Sequence, residues 1–392
     1  MRRHGAEGSF VSKWTIDKGD LSVVGAEDLI RQVATWDTLT SAYNAPAAGI
    51  AISRLCSADL AGAGAFFDEA SGKGYAGRLL LNGEEIGDEG RAFAHLLNGT
   101  SYELPYLGKL SWENVVAHPS TGDKTVVVGL DDSSPGQVYV YVGDKQSSGN
   151  PVEKAGLSGG ALYGVKVSGY AAEPAGGIPA GTPFALEAVG LDGSVASRSG
   201  AQIQADSVAD GITQFLRPED GAWDPDNPND FYFATTNSID APSRLWRLRF
   251  TDAANPLAGG TITAVLEGGE GQHMMDNLTV HDGRVLIQED PGSKAPAGQS
   301  NYLAKVWAYD IASDSLTEIA EHDPARFTTG LPGFLTKNEE SSGIIPAPFL
   351  GRGWYLADVQ AHLKYTFPPE ANRELVEPGQ LLALHVPPGK FR

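Results

Sequence analysis

Acidic residues in this sequence recur in groups at the ends of strand-like segments. The groups are Glu84-Glu85, Glu113-Asn114, Asp131-Asp132, Glu219-Asp220, Asp276-Asn277, Glu289-Asp290, Glu339-Glu340 and Asp358 with His362. Any one of them is most simply a solvated turn. Acids beside buried strands are costly, however, unless they are paired or bound to cations. Because Ca²⁺ takes about six to eight oxygen ligands, the set predicts a cation site assembled from distant loops. No EF-hand spacing is present.

The single cysteine, Cys56, cannot form an intrachain disulfide. A lone cysteine is more often a small buried hydrophobic residue than a ligand. A donor set that combined its thiolate with carboxylates and a histidine would suit a transition metal better than calcium does. From the residues alone, the structural and the ligating roles of Cys56 both stay open.

Other kinds of site find little support in the sequence. The segment around Ser158 matches only part of the G-x-S-x-G motif of serine hydrolases. There is no phosphate-binding P-loop and no H-E-x-x-H zinc motif. His273, which stands beside Met274 and Met275, is predicted to be a packed residue.

Short runs rich in Val, Tyr, Trp and Leu alternate with Gly, Asp, Asn and Pro, which is typical of β-strands and turns. Residues 24–36 and 58–69 carry apolar residues at helical spacing and predict two short helices. The clearest predicted strands are residues 125–130, 137–143, 161–167, 230–235, 244–250, 261–266, 284–288, 304–309, 353–357 and 381–386.

Two hairpins indicate how these strands are connected. Residues 126–130 and 138–142 flank a DDSSPG turn, and residues 278–280 and 285–288 flank an HDG turn. Strand pairs of this kind recur at about the 40–50-residue period of a four-stranded blade. We therefore expect an all-β fold, a β-propeller of about six blades in a single domain over residues 1–392. A β-sandwich is the alternative. The loops at 169–177 and 290–300 are predicted to connect blades.

Composition excludes several classes of function. The formal net charge of −20 argues against a nucleic-acid partner and against binding to an anionic membrane surface. Such acidity suits a protein that collects carboxylates around cations, and it suits equally well a merely acidic surface. No window approaches 18 apolar residues, so no membrane span is predicted. The Arg pair near the start has no apolar segment behind it, so no signal peptide is predicted.

Nine segments in collinear order resemble the PhoX-type alkaline phosphatase family and its uncharacterised propeller relatives, from about His4 to Val386. The segments are RLCSADL (54–60), LNGEE (81–85), GRAFAH (90–95), LGKLSWENVVAHP (107–119), GLDDSSPGQVYVYVG (129–143), RPEDGAWDP (217–225), DNLTVHDGRVLIQED (276–290), ESSGI (340–344) and ADVQAH (357–362). The resemblance implies a six-bladed propeller whose central iron and calcium ions cleave phosphomonoesters. The substrate would be a small phosphate ester, and we expect a monomer.

The resemblance also implies roles for individual residues. Cys56 becomes a candidate iron ligand, because a thiolate is a good ligand for iron. Arg217, with Arg91 as the second choice, would stabilise the charge of the transition state. The candidate ligands for iron or calcium are Glu85, Glu113, Asp132, Glu219, Asp276 and Asp290, with Glu340, Asp358 and His362 as further candidates from the end of the chain.

Relatives in this family have sequence upstream of the segment that matches His4–Trp14, and many carry a twin-arginine export signal. The chain is therefore expected to act in the periplasm or after secretion, and to lack a first blade strand. Two other functions stay open at this point. One is a calcium-stabilised propeller that binds a ligand without turnover, and the other is a metal-dependent hydrolase of another ester or a lactone.

Overall fold

A computed structural model describes residues 2–3, 5–190, 194–363 and 379–387. His4, where the family resemblance begins, lies outside them. The chain divides into two compact units. The first comprises Met1–Pro174, Ala180–Pro218 and Arg249–Ile262, and the second comprises Ala175–Pro179, Glu219–Leu248 and Thr263–Arg392.

Antiparallel strands dominate the first unit. In chain order they are β1 (Arg2–Arg3), β2 (Ala6–Glu7), β3 (Ser12–Ile16), β4 (Val23–Asp28), β5 (Gln32–Ala34), β6 (Trp36–Asp37), β7 (Ala42–Tyr43), β8 (Leu55–Leu60), β9 (Phe67–Asp68), β10 (Lys73–Gly74), β11 (Leu79–Glu84), β12 (Ala92–Leu96), β13 (Thr100–Glu103), β14 (Trp112–Ala117), β15 (Lys124–Asp131), β16 (Gly136–Asp144), β17 (Ala161–Val167), β18 (Thr182–Ala188) and β19 (Gln214–Phe215). One sheet has the order β5-β13-β12-β11-β8, and the next runs β14-β15-β16-β17-β18.

The second unit is built in the same way. Its strands are β20 (Pro218–Trp223), β21 (Asp230–Thr235), β22 (Arg244–Phe250), β23 (Gly260–Leu266), β24 (Met275–His281), β25 (Arg284–Glu289), β26 (Lys305–Asp310), β27 (Ser315–Glu321), β28 (Glu339–Pro346), β29 (Trp354–Ala361) and β30 (Gly379–His385). Of these strands, residues 218, 249–250 and 260–262 belong to the first unit. A four-stranded sheet runs β24-β25-β26-β27, and a three-stranded sheet runs β28-β29-β30. Each strand lies beside the next one in sequence, which is the simplest antiparallel topology.

Helices are short in the described part of the chain. They are α1 (Pro151–Lys154), α2 (Gly200–Ala209) and α3 (Pro324–Phe327), with 3₁₀ turns at Ala63–Ala65, Pro105–Leu107, Pro256–Ala258 and Pro348–Leu350. The ten-residue helix α2 begins at a capping box in which Ser199 and Gln202 satisfy each other's backbone N–H groups. None of the described helices has the length and hydropathy that a membrane crossing requires.

The predicted strands all exist, with ends that shift by a few residues. Strand β15 is buried from residue 125 to residue 131, and this explains why its sequence is a continuous apolar run and not an alternating one. Both predicted hairpins are confirmed by their registers, Leu130↔Val138 in one and His281↔Arg284 in the other. In the second hairpin Asp282 and Gly283 both have positive φ, 52° and 73°, as a type I′ turn requires.

Both predicted helices are wrong. Residues 24–36 lie in β4, β5 and the start of β6, and β5 pairs in parallel with β13. Residues 58–69 lie in β8, a 3₁₀ turn and β9. Gly62 and Gly64 each weaken a helix by about 1 kcal/mol relative to alanine. Pairing of β8 with β11 then satisfies the backbone in an extended form, so the helical spacing of apolar residues was coincidental.

The two loops that were predicted to connect blades do not do so. Residues 169–177 lie between β17 and β18, which pair with each other. Residues 290–300 lie between β25 and β26, which also pair. Both loops are therefore long hairpin connections within one sheet. Glycine-rich composition indicates a loop but does not tell which strands the loop joins.

Each unit has its own buried core. In the first unit one cluster joins Trp112, Tyr139, Tyr141 and Ile203 with smaller apolar residues. In the second unit the two main clusters are centred on Trp307 and on Tyr355. These cores fix the sheets whose ends carry the acidic groups.

Candidate metal centre

Cys56 lies at a β-bulge between β8 and β11. The register passes from Asn82↔Ala58 to Glu84↔Leu55, so Cys56 and Ser57 together oppose the single residue Gly83. A bulge inserts one extra residue and re-aims the side chains on the bulged strand. The local irregularity therefore sets the direction of the thiol.

Glu113 lies at a second bulge, at the start of β14. Trp112 pairs with Asp131 and Asn114 pairs with Leu130, which leaves Glu113 as the extra residue. The neighbouring Trp112 is buried. Both bulges therefore place a candidate ligand at the first residues of a strand.

Two glycines hold the Trp112 side chain that precedes Glu113. A Cβ atom at Gly83 would lie 2.4 Å from Trp112, and one at Gly129 would lie 2.5 Å from its six-membered ring. Neither position can accept a larger residue without displacing the indole. Close packing of glycine against tryptophan thus fixes the backbone from which the Glu113 carboxylate projects.

Cys56, Glu85 and Glu113 converge in the first unit. The cysteine sulfur and one carboxylate oxygen of each glutamate all lie within 4.8 Å of one another. Glu113 is only 1% exposed, and the Ser57 hydroxyl donates to its Oε1 at 2.7 Å. Two donors at about 2.3–2.6 Å from one ion lie at most about 5 Å apart. The spacing of these three donors is therefore the spacing that a single cation needs.

The electrostatics of this cluster favour a cation. Burial raises the pKa of the Glu113 carboxyl well above its ordinary value, and the negative charge of Glu85 adds to the rise. Burial also raises the pKa of Glu85, although the guanidinium of Arg54 opposes this effect. Bringing acids together in a buried place is unfavourable unless protons or metal ions neutralise them.

Asp132 and Arg217 form a two-pronged ion pair in the same unit. The Nε and Nη2 atoms of Arg217 donate to the two carboxylate oxygens of Asp132 at 2.8 and 2.9 Å. Arg217 has φ of 60°, a left-handed conformation that is unfavourable for a residue with a Cβ. Such strain is characteristic of functional sites.

Its neighbour Asp131 has a different role. The Asp131 carboxylate accepts from the Ser111 N–H at 3.2 Å and the Ser133 hydroxyl at 2.8 Å, and burial raises its pKa to about 7. It therefore holds the turn after β15. Alternation along the strand directs two adjacent aspartates to different surroundings, which the sequence pair alone does not reveal.

Arg54 is a site residue that the sequence reasoning missed. Its Nη1 donates to Glu85 Oε1 at 2.9 Å, and its Nη2 lies 2.8 Å from Glu85 Oε2. Nothing in its spacing distinguishes it from a surface arginine, and only the pairing of β8 with β11 brings it to Glu85. Arg91, by contrast, forms its two-pronged pair with Glu84 and donates to the Ala51 carbonyl, outside this cluster.

In the second unit, carboxylate oxygens of Glu219 and Asp276 lie within 4.8 Å of each other, and both residues are buried. Asp276 lies at a bulge, because the register of β24 with β25 passes from Met275↔Glu289 to Leu278↔Ile287. The neighbouring Asp220 accepts the Leu278 N–H at 3.0 Å and so ties β20 to β24.

A third acidic group lies at the start of β28. His362 Nε2 lies 3.1 Å from Glu340 Oε2. Burial and the charge of Asp290 raise the pKa of Glu340. Asp358 lies opposite Gly343, and burial raises its pKa to about 6. Among the described residues, no set of three ligand atoms within 4.8 Å includes any of these four residues.

One signal in the sequence marks the best-placed ligands. Three groups pair an acid with Asn or Asp at the start of a strand: Glu113-Asn114, Glu219-Asp220 and Asp276-Asn277. In two of them the second side chain accepts the next backbone N–H, at 2.7 Å from Asn114 to Val115 and at 2.7 Å from Asp220 to Gly221. In both cases the acid projects while its neighbour holds the backbone at the start of the strand.

The bulged sheets and the sulfur–carboxylate cluster define a class, an all-β protein with a candidate metal centre. The model of the family of alkaline phosphatase PhoX matches residues 94–333, more than half of the sequence. The chain belongs to the PhoX alkaline phosphatase family. Among curated proteins, no sequence matches it.

Solved structures show the fold. PhoX of Pseudomonas fluorescens in complex with vanadate, a transition state analogue, is similar to this chain with a TM-score of 0.52 and 16% identity, over 75% of this chain and 57% of that protein. The chain thus spans somewhat over half the length of that relative. This likeness confirms the predicted all-β, propeller fold.

Two further structures are less similar. TolB of Acinetobacter baumannii has 10% identity and a TM-score of 0.33, over 72% of this chain and 49% of that protein. A cobalt-substituted apocarotenoid oxygenase of Synechocystis has 11% identity and a TM-score of 0.35, over 88% and 61%. Likeness at this level carries no argument about function.

Proposed function

We propose that this protein is a metal-dependent phosphomonoesterase of the alkaline phosphatase kind, with iron and calcium as its cations. The observation that carries the proposal is the convergence of Cys56, Glu85 and Glu113 within 4.8 Å, in a chain that belongs to the PhoX family. The vanadate complex of the Pseudomonas protein supports a phosphoryl-transfer reaction. The substrate would be a small phosphate ester.

The donor set fits these cations. A thiolate with carboxylates suits iron, and carboxylate oxygens alone suit calcium. We infer that Cys56, Glu85 and Glu113 hold iron. Asp132 in the first unit, and Glu219 with Asp276 in the second, are proposed as carboxylate ligands for calcium or iron. We retain Asp290, Glu340, Asp358 and His362 as further candidates, supported by the short contact between Glu340 and His362. The chemistry that bound cations supply is neutralisation of phosphate oxygens and activation of the attacking water.

Arg217 has the clearest role among the protein's own groups. Its guanidinium presents two parallel N–H donors, now directed at Asp132, and the same fork matches two oxygens of a phosphate. Because Asp132 is only 9% exposed and Arg217 is 30% exposed, the arginine is the partner that an incoming ester reaches first. We propose that it binds the phosphate and stabilises the charge of the transition state.

Glu113 governs the proton balance of the cluster. Its raised pKa means that the metal-free carboxyl holds a proton well above the pH at which an exposed glutamate loses one. A cation has to displace this proton, so metal affinity should increase with pH. This behaviour agrees with an enzyme that works at alkaline pH. By family resemblance we also propose that the protein acts as a monomer, in the periplasm or after secretion.

The test is turnover of p-nitrophenyl phosphate at alkaline pH by the purified chain, first stripped with a chelator and then supplied with iron, calcium or both. Activity that disappears on stripping and returns with both ions supports the proposal. Cys56→Ser should lose iron and any visible thiolate-to-iron absorption band. Arg352→Gln removes an exposed ion pair with Asp282 and is the matched control. Tight metal binding without turnover would contradict the proposal and favour a non-catalytic propeller.

A further inference from the structure

A second guanidinium group lies at the metal cluster of the first unit. Arg54 immediately precedes β8 and forms the two-pronged pair with Glu85 described above. Its side chain is 65% exposed, whereas that of Glu85 is 9% exposed. The arginine therefore extends from a buried ligand into solvent.

The charge count of the metal-loaded cluster favours an anion beside Arg54. With its ligands deprotonated, the cluster carries four formal negative charges, from the Cys56 thiolate and from Glu85, Glu113 and Asp132, and two positive charges, from Arg54 and Arg217. The sum is −2, which one divalent ion neutralises and which a trivalent ion, or iron together with calcium, makes positive. A positive, partly buried site attracts anions.

Carboxylate and phosphate groups present similar pairs of oxygens to an arginine. A guanidinium that bridges both oxygens of Glu85 can bridge two phosphate oxygens in the same way. Once a cation shares the charge of Glu85, the hold of the carboxylate on Arg54 weakens, because the negative charge is then divided between two partners.

We propose that Arg54 is a second phosphate-binding residue, which Glu85 holds in place until cations occupy the cluster and a phosphate monoester arrives. This inference rests on the proposed function and extends it from one arginine to two. The competing role is that of a positioning residue, which would act only by orienting Glu85 toward the metal. The two roles differ in what the loss of Arg54 changes.

Three variants of the metal-loaded protein distinguish a phosphate-binding role of Arg54 from a positioning role: Arg54→Gln, Arg54→Lys and the control Arg352→Gln. Binding of inorganic phosphate is measured by calorimetry and metal content by mass spectrometry. For Arg54→Gln we expect phosphate affinity to fall about tenfold, as for loss of a charged hydrogen bond, with unchanged metal content. KM for p-nitrophenyl phosphate should rise by a similar factor, and kcat should change less than about threefold. Arg54→Lys should recover part of the affinity, because lysine keeps the charge but not the fork.

Several results would overturn the inference. One is wild-type phosphate affinity in Arg54→Gln. Another is a loss of metal that accounts for the weaker binding, since that would make Arg54 a positioning residue. Absence of phosphate binding by the wild-type protein would also refute it. Phosphate binding without turnover in the wild type would count against the proposed function only, and the comparison of isotherms would still decide the role of Arg54.

Discussion

Two buried glutamates, one in each unit, have opposite surroundings. Glu289, in the second unit, accepts hydrogen bonds from the His273 N–H (2.8 Å), the Tyr302 hydroxyl (2.6 Å), the Lys305 N–H (3.0 Å) and the Trp307 indole (2.8 Å). Glu113, in the first unit, accepts from the Ser57 hydroxyl and otherwise faces a thiol and the acids Glu85 and Asp132.

The difference shows how to distinguish a structural carboxylate from a ligand. Burial raises the pKa of both, to about 7 for Glu289. Donors in the protein compensate Glu289, so its site is complete as folded. At Glu113, burial and the charges of Glu85 and Asp132 outweigh the hydrogen bonds from Cys56 and Ser57, so the charged carboxylate needs added positive charge. A raised pKa therefore does not identify a site, and the nature of the neighbours does.

Removing Glu289 should have the largest effect on stability. Glu289→Ala leaves two buried and two partly buried donors without their acceptor, and an unsatisfied buried donor costs about 1–3 kcal/mol. We expect a loss of roughly 3–5 kcal/mol in the free energy of unfolding, measured by urea denaturation, with metal content per folded protein unchanged. A loss of metal without a loss of stability would contradict the structural role of Glu289.

Glu113→Gln should weaken metal binding without destabilising the metal-free protein. An amide is a poor ligand for a hard cation, so we expect the affinity for iron to fall at least about a hundredfold, consistent with the loss of one charged ligand. The metal-free variant should be more stable than the metal-free wild type at pH 9. A carboxyl with a raised pKa contributes its full stability below the unfolded value of 4.5 and loses it as the pH rises. Thermal unfolding after chelation tests this, and equal stability at pH 9 would refute the account of Glu113.

Gly129→Ala tests whether packing of Trp112 sets the position of Glu113. The added Cβ would lie 2.5 Å from the indole ring, and overpacking of this kind costs roughly 1–3 kcal/mol. We expect a lower melting temperature together with weaker metal binding. The control is Gly72→Ala. An added Cβ meets no atom within 4 Å there, but the φ of 71° makes alanine strained. This variant should therefore lose stability without any change at the metal site.

The smallest effect concerns acid stability in the second unit. Burial lowers the pKa of His322 to about 4, and its Nε2 lies 3.1 Å from the Ser341 hydroxyl. Since the unfolded value is 6.5, stability is complete above about pH 6.5 and is lost as the pH falls toward 4. At pH 5.5 the loss should be on the order of 1 kcal/mol. His322→Gln should flatten this part of the pH profile, and an unchanged slope between pH 6.5 and 5 would show that another group is responsible.

Much of the local structure could be predicted from the sequence. Runs such as residues 161–167 and 244–250 coincide with β17 and β22 from end to end, because apolar β-branched and aromatic residues between turn formers leave few alternatives. Residues 24–36 could not be predicted in this way. There the pairing of Val33 with Ser101, some 68 positions along the chain, outweighed the local spacing.

The candidate site shows the same difference between local sequence and long-range pairing. The residue types of the site, namely one cysteine, acids at strand ends and an arginine before Pro218, can be read from the sequence, and the nine collinear segments that contain them sufficed to predict the family. Which acids meet depends on the fold. It placed Glu113 beside Cys56 and Glu85, directed Asp131 into a turn and Asp132 toward Arg217, and brought Arg54 to Glu85. The physical reason is that a bulge or a one-residue change in register turns a side chain to the other face of a sheet, and register depends on partners that are distant in sequence.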